Sequence, residues 1–245
     1  MIKLIDLNME YGERVIMRDV NLTIKKSETL AVVGPSGTGK STLLKLLIGL
    51  ARPTSGQVWV DGKEISRLKE KELDEARLGM GMVFQYSALF DSMSVGENVA
   101  FGLRQHTDMK EDEIRRIVEE RLAGVGLAGL ADAMPNELSG GMKKRVGLAR
   151  ALAFKPNIIL YDEPSSGLDP IMSRKIDELI LETQKNFGVT SVVVTHDMES
   201  AYRIADRIAV LYEGRFVQIG TPDEIRRSDH PYVQEFVRAA SYRKE

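Results

Sequence analysis

The sequence predicts an α/β protein: a doubly wound, mainly parallel sheet joined by an antiparallel β subdomain and an inserted α-helical subdomain. Three observations carry this. A buried apolar run, Thr29-Leu30-Ala31-Val32-Val33, feeds directly into a glycine-rich turn and then into an apolar pattern of helical spacing. Further short apolar runs at 158–161, 191–194 and 207–211 follow, with the continuous hydrophobicity of parallel strands buried on both faces, and the first two flank a helical pattern. Between residues 86 and 155 the alternation is interrupted by amphipathic helical sequence.

In chain order, Ile2, Leu4, Val15-Ile16-Met17, Val20, Leu22 and Ile24 alternate with polar residues, as half-buried antiparallel strands do, with a turn at Tyr11-Gly12. Residues 56–60 give another strand, ended by the Asp61-Gly62 hairpin signal. Trp59 lies inside that strand pattern, which favours packing within the subdomain over stacking on a base. Residues 78–84 return to apolar and Gly residues and end at Gln85. Ser94-Val95-Gly96-Glu97 has the form of a capping box, and a charged helix is expected to open at Asp108 and run to about Ala123, with Ile114, Ile117, Val118 and Leu122 on one stripe. Gly124, Gly126 and Gly129 break it. Ser139-Gly140-Gly141 precedes a helix expected over 142–154, and a helix over 171–187 closes at Gly188. Thr221-Pro222 caps another helix start, and a last amphipathic helix carries Tyr232, Val233, Phe236 and Val237 toward Tyr242, covering the core. The expected organisation is a core with its β subdomain over about 1–85 and 156–220, a helical subdomain over about 86–155, and a helical tail over 221–245.

Composition narrows the function classes. A chain of 245 residues supports one large domain with a sizeable core. Lys and Arg total 34 against 36 Asp and Glu, a net charge of −2, which gives no reason to expect a nucleic-acid partner. The absence of cysteine excludes disulfides, thiolate metal sites and a cysteine nucleophile, and fits a reducing compartment. A carboxylate at Asp6 comes too early for a signal-peptide core, and no apolar run approaches the roughly 20 residues of a spanning helix. Work at a membrane therefore requires a second chain to supply the span.

The chemistry gathers at strand ends. Gly34-Pro35-Ser36-Gly37-Thr38-Gly39-Lys40-Ser41-Thr42 fits G-x-x-x-x-G-K-[ST]. In that pattern backbone N–H groups turn inward around phosphates, the lysine reaches the terminal phosphates and the hydroxyl meets Mg²⁺. The helix that follows adds free N–H groups and a positive dipole end. Asp162 and Glu163 close the 158–161 run, at the sheet edge where such folds bind ligands; Asp162 suits a metal and Glu163 a general base. His196 ends the next run and is placed to bond a terminal phosphate. Gln85 closes a strand too, with an amide able to touch both metal and water. His106 and His230 are assigned to a loop and to a helix start.

Together these residues resemble the nucleotide-binding subunit of ATP-binding cassette (ABC) transporters over essentially the whole chain. The motifs follow in the family's order: Tyr11 at the adenine-stacking position, the Walker A loop at 34–42, the Q-loop at Gln85, the signature Leu138-Ser139-Gly140-Gly141, Walker B at 158–163, the D-loop Ser166-Gly167-Leu168-Asp169 and the switch His196. The resemblance implies ATP and Mg²⁺ as ligands, with Ser41, Asp162 and Gln85 at the metal, and Glu163, His196, Gln85 and Lys40 as the hydrolytic set. It also implies a head-to-tail homodimer in which Ser139, Gly140 and Gly141 of one chain meet the nucleotide of the other. The hydroxyl and free N–H groups of Ser139, Gly140 and Gly141 at a helix start suit an anion, although Ser-Gly-Gly taken alone is simply a good helix start. An integral membrane permease is the implied partner, docked in the groove around residues 85–101, together with a lipid- or solute-binding component. The implied location is the cytoplasm, peripheral on the cytoplasmic face of the inner or plasma membrane.

One residue departs from the family pattern: Met142 stands where Gln or Glu is usual, so the polar contact of that side chain is lost while the serine and both glycines remain. The variant Ser-Gly-Gly-Met, with Phe84-Gln85 and Ala88-Leu89-Phe90, looks like the ATPase subunits of Mla or MCE-type lipid-trafficking systems. Importers of amino acids share most of the same core. A soluble ABC-type ATPase is the second functional class, although such proteins usually carry two cassettes or a coiled coil. A P-loop kinase is the third, and no acceptor site supports it.

Overall fold

A computed structural model of the chain describes residues 2–241. Two sheets share the chain. β1 (Ile2–Tyr11) and β2 (Arg14–Ile24) form a long antiparallel pair; β3 (Thr29–Val33) leads into α1 (Lys40–Leu47); β4 (Ser55–Val60) and β5 (Lys63–Glu64) complete the four-stranded sheet in the order β2-β1-β4-β5. Asp61 and Gly62 turn between the last two, both at positive φ (46° and 80°). Trp59 is half-buried in β4, opposite Lys3 and Glu64, and its Nε1 donates to Gln57 Oε1 at 2.9 Å, which fits the packing role.

α2 (Glu70–Arg77) and β6 (Met80–Val83) follow, then the helices α3 (Val95–His106), α4 (Glu111–Gly124) and α5 (Gly140–Ala151). Strands and helices then alternate: β7 (Ile158–Asp162), α6 (Pro170–Phe187), β8 (Thr190–Thr195), α7 (Met198–Ile204), β9 (Arg207–Tyr212) and β10 (Arg215–Gly220), ending in α8 (Pro222–Arg226) and α9 (Pro231–Ser241). The larger sheet has the order β10-β9-β3-β8-β7-β6, parallel except for β10. This is the doubly wound arrangement expected.

The central strands are buried on both faces, and their alternation divides the core. Leu30, Val32, Leu160, Val192 and Val194 pack with α1 and the antiparallel sheet. Ile159, Tyr161 and Val193 face the helical side, and Ala31 and Val33 face α7 and α9. α1 buries Leu43, Leu44, Leu46 and Leu47, at roughly 1.5–3 kcal/mol each by area transfer, and so clamps the helix that carries the phosphate loop. Val233 of α9 is fully buried, with Tyr232, Phe236 and Val237 packed around it, so this helix covers the core as expected; Tyr242 lies outside the described residues.

Several boundaries move. α4 opens at Glu111, capped by Lys110 and not by Asp108, because residues 107–110 form an extended link from α3. α5 starts at Gly140, since Ser139 is the cap itself, and it ends at Ala151, ahead of Phe154. His106 is the last residue of α3 rather than a loop residue. α2 and α7 have no counterpart in the sequence reading. α2 has a lysine at its cap, with only Glu72 reaching back to the Lys69 N–H at 2.9 Å. α7 is capped by Asp197, which accepts from the N–H groups of Glu199 and Ser200.

Candidate functional site

Parallel register assembles the site. Val33 pairs with Thr195, and Asp162 pairs with Val194, so β3, β7 and β8 end at one level. The phosphate loop, Glu163 and His196 therefore leave neighbouring strands at the same edge of the sheet. In the loop, Gly37 and Gly39 adopt φ of 82° and 102°, a region that favours glycine. At Gly34 a Cβ would lie 2.3 Å from the Leu211 carbonyl oxygen, so only glycine lets β9 pass so close.

Lys40 is buried, and its Nζ donates to the Gly34 and Pro35 carbonyls at 2.8 and 2.9 Å, with Glu163 Oε1 at 3.9 Å. Burial pulls the Lys40 ammonium below its ordinary pKa, opposed by the charges of Glu163 and Asp162. Ser41, in the first turn of α1, donates to Asp162 Oδ1 at 3.0 Å. Glu163 Oε2 lies 2.8 Å from His196 Nδ1 and accepts from the His196 backbone N–H at 3.3 Å. Lys40, Ser41, Asp162, Glu163 and His196 thus form one connected cluster.

Gln85 Nε2 donates to Ser166 Oγ at 3.3 Å, tying the segment after β6 to the loop after Glu163. Tyr11 ends β1 and is 52% exposed. A cavity of about 500 Å³ lies beside the loop, lined by Arg14, Val15, Ile16, Pro35, Gly37, Thr38 and Tyr212 among others, and Tyr11 is not in that lining. Arg14 donates to the Gly37 carbonyl at 3.3 Å; no sequence pattern singles it out.

Ser139 Oγ accepts from the Met142 N–H at 3.3 Å, leaving the N-terminal turn of α5 to present Gly140 and Gly141. A side chain at either glycine would meet Leu168 or Met172 of the same chain. Met142 itself packs against the helical core, so the residue that departs from the family pattern has exchanged a polar contact for an apolar one. Lys144, one turn further on, is a functional candidate the sequence reading missed: it is 7% exposed, and its Nζ reaches the Ser166 carbonyl at 2.6 Å and the Glu163 carbonyl at 3.4 Å.

A second cavity, about 620 Å³, is lined by Pro35, Ser36, Leu168, Pro170, His196 and Asp197, with Phe236 of α9 on its far side. Among the described residues no cluster of three or more His, Cys, Asp or Glu side chains is placed to hold a metal. The hydroxyl and carboxylate of Ser41 and Asp162 are a hard oxygen pair, which fits a Mg²⁺ ion whose other ligands are water and phosphate oxygens. No described helix is long and apolar enough to cross a membrane.

The chain is 46% identical over 231 residues to a probable ribonucleotide transport ATP-binding protein, mkl, of Mycobacterium tuberculosis; the match covers 94% of this chain and 64% of that one. It is 43% identical over 241 residues to the intermembrane phospholipid transport system ATP-binding protein MlaF of Haemophilus influenzae, covering 98% of this chain and 91% of the relative. Its fold matches the dimeric ATP-binding cassette MJ0796 in a post-hydrolysis state bound to ADP and Pi, with a TM-score of 0.83, 36% identity, and coverage of 91% of this chain and 99% of that one. Residues 17–166 match the family model described as ABC transporter, and the chain belongs to that family.

Proposed function

We propose that this chain is the ATP-binding and ATP-hydrolysing subunit of a transporter for a lipid or other hydrophobic substrate. The observation that carries the reading is the cluster of Lys40, Ser41, Asp162, Glu163 and His196 at one sheet edge. Residues 34–42 cradle the phosphates of ATP through backbone N–H groups, and Lys40 turns its ammonium to their charge. Ser41, Asp162 and Gln85 are the residues that would hold Mg²⁺, which would neutralise phosphate charge. Glu163 takes the proton of the attacking water, and His196 orients Glu163 and bonds the departing phosphate. Tyr11 closes over the base.

Ser139, Gly140 and Gly141 act on the nucleotide of a second copy, which makes the working unit a head-to-tail homodimer. The similar cassette bound to ADP and Pi is dimeric, which supports a dimeric working unit. On this reading about 1–85 and 156–220 are the nucleotide core with its β subdomain, about 86–155 the helical subdomain that brings the signature, and 221–245 the tail. The partners are an integral membrane permease, seated near residues 85–101, and a lipid-binding component. The chain works from the cytoplasmic face of the membrane. Similarity to MlaF over nearly both chains favours a phospholipid. The second reading is a polar solute, favoured by the similarity to mkl, a probable ribonucleotide transport protein.

Glu163→Gln is the deciding variant. It is expected to stop phosphate release while its chains still dimerise when ATP is added, read by size-exclusion chromatography with light scattering. Continued turnover in that variant would remove Glu163 from the reaction, and an ATP-independent monomer would remove the dimer.

A further inference from the structure

Glu163 occupies a strained position. Its φ is 47°, in the left-handed region, where a residue with a Cβ is strained, and Pro164 follows it. Such a conformation persists only where its surroundings hold it. Its N–H donates to the Val194 carbonyl at 2.9 Å, which fixes one side of the peptide to β8. Its carbonyl accepts from the Ser166 N–H at 3.1 Å, which closes the turn 163–166. Gln85 ties Ser166 to the segment after β6 and His196 holds the Glu163 carboxylate, and further support comes from α5. Lys144 of α5 reaches in with its ammonium, 2.6 Å from the Ser166 carbonyl and 3.4 Å from the Glu163 carbonyl.

The neighbouring basic residues do not share this placement: Lys143 and Arg145 are half-buried, while Lys144 is 7% exposed. Taking an ammonium out of water is costly unless it is repaid by charge and hydrogen bonds. Burial pulls the Lys144 ammonium below its ordinary pKa, and two carbonyls and the nearby Glu163 carboxylate oppose that cost. Those carbonyls belong to the residue that activates water and to the loop that follows it. The helix that carries Lys144 begins at Ser139-Gly140-Gly141, five residues earlier. One side chain therefore connects the signature helix to the hydrolytic turn of the same chain.

We propose that Lys144 is a positioning residue: it holds the 163–166 turn in the strained form that aims the Glu163 carboxylate, and it transmits the seating of the signature helix to that carboxylate. This rests on the reading of Glu163 as the base and of Ser139 as the contact to a second copy. Under it, a chain whose signature has closed on its neighbour's nucleotide has its own Glu163 set for its own nucleotide. The link runs from one site of the dimer to the other through a single buried cation.

The test compares the full chain carrying Lys144→Met, which keeps length and volume but removes the charge and donors, with Lys144→Arg. Steady-state phosphate release is measured over a range of Mg·ATP concentrations, and ATP-dependent dimers are followed by light scattering. For Lys144→Met we expect kcat to fall at least tenfold with KM for ATP within about twofold, a lower Hill coefficient, and ATP-dependent dimers that outlast those of the native chain. Lys144→Arg, which retains a cation with several donors, is expected to recover a large part of kcat. A lysine that only stabilised the fold would lower the melting temperature without lengthening the life of the dimer. Native kcat in Lys144→Met, or a loss of ATP-dependent dimers in that variant, overturns the proposal. Failure of Glu163→Gln alone to dimerise in ATP overturns the underlying reading, and this one with it. Normal dimers in Glu163→Gln combined with native kcat in Lys144→Met overturn this proposal alone.

Discussion

Glu163 and His196 share one short contact, 2.8 Å from carboxylate oxygen to Nδ1, and the same oxygen accepts the backbone N–H of His196. The carboxylate is thus steered by the end of β8 from two directions, one of which survives loss of the ring. His196→Ala should therefore leave Glu163 partly oriented while removing the ring. We expect kcat to drop by on the order of 10²-fold, the size of a lost acid–base or orienting group, with ATP binding kept. A phosphate-release assay beside an equilibrium nucleotide-binding assay checks this; unchanged kcat would remove His196 from the site.

The Ser41–Asp162 pair bears on the metal. In the present geometry the hydroxyl donates to the carboxylate at 3.0 Å, so the two oxygens lie where one cation can meet both. Chelation of Mg²⁺ with EDTA should abolish turnover, and excess Mg²⁺ should restore it. Ser41→Ala and Asp162→Asn should each raise the Mg²⁺ concentration needed for half-maximal activity, and the double variant should add little to the worse single one, because both act through one ion. Titration of Mg²⁺ at saturating ATP measures it, and fully additive losses would separate the two residues.

Away from the site, Asp177 of α6 is fully buried and accepts from Ser200 Oγ at 2.6 Å and from Arg203. Burial pushes its carboxyl pKa up, with Ser200 and Arg203 opposing. The sign follows from linkage. A carboxyl whose pKa is higher folded than unfolded binds its proton more tightly when folded, so its contribution is full below the unfolded value of about 4 and is lost as pH rises through the folded value. Asp177→Asn removes that slope. Thermal unfolding from about pH 4 upward should show a smaller decline for the variant than for the native chain; parallel profiles would place the carboxyl at its ordinary pKa.

Legibility followed locality. Residues 34–42, Asp162, Glu163 and His196 sit within short patterns, apolar strand then turn, and the structure brings them together through strand register alone. What escaped depends on contacts distant in sequence. Lys144 lies in Lys143-Lys144-Arg145, which reads as a solvated charged face; only the packing of α5 against the 163–166 turn selects the middle residue for burial. Arg14 meets the phosphate loop because β2 runs past it, 23 residues away in the chain. α7 escaped because it spans seven residues and its cap, Asp197, directly follows the histidine that draws attention. Gln85 shows the limit from the other side: its position was evident, but its partner, Ser166, lies 81 residues on.

The proposed head-to-tail arrangement makes an expectation that no single-chain enzyme would share. Lys40→Ala disables the phosphate loop of a chain but leaves its signature intact, whereas Ser139→Arg disables the signature and leaves the loop. Each homodimer has two defective sites and should be inactive. In a mixed dimer, one site combines both defects, and the other combines the intact loop of the Ser139 variant with the intact signature of the Lys40 variant. Equal mixing gives mixed dimers in about half of the population with one sound site each, so activity should return to at most about a quarter of the native rate per chain. Recovered phosphate release on mixing two inactive proteins, absent from either alone, is the measurement. If both variants stay silent together, either Ser139 acts on its own chain's nucleotide or the two sites cannot fire singly. A tandem fusion with both defects in one half and a native second half separates those outcomes. Acting within its own chain, Ser139 would leave the native half active, whereas acting across the dimer it leaves neither nucleotide with both parts sound.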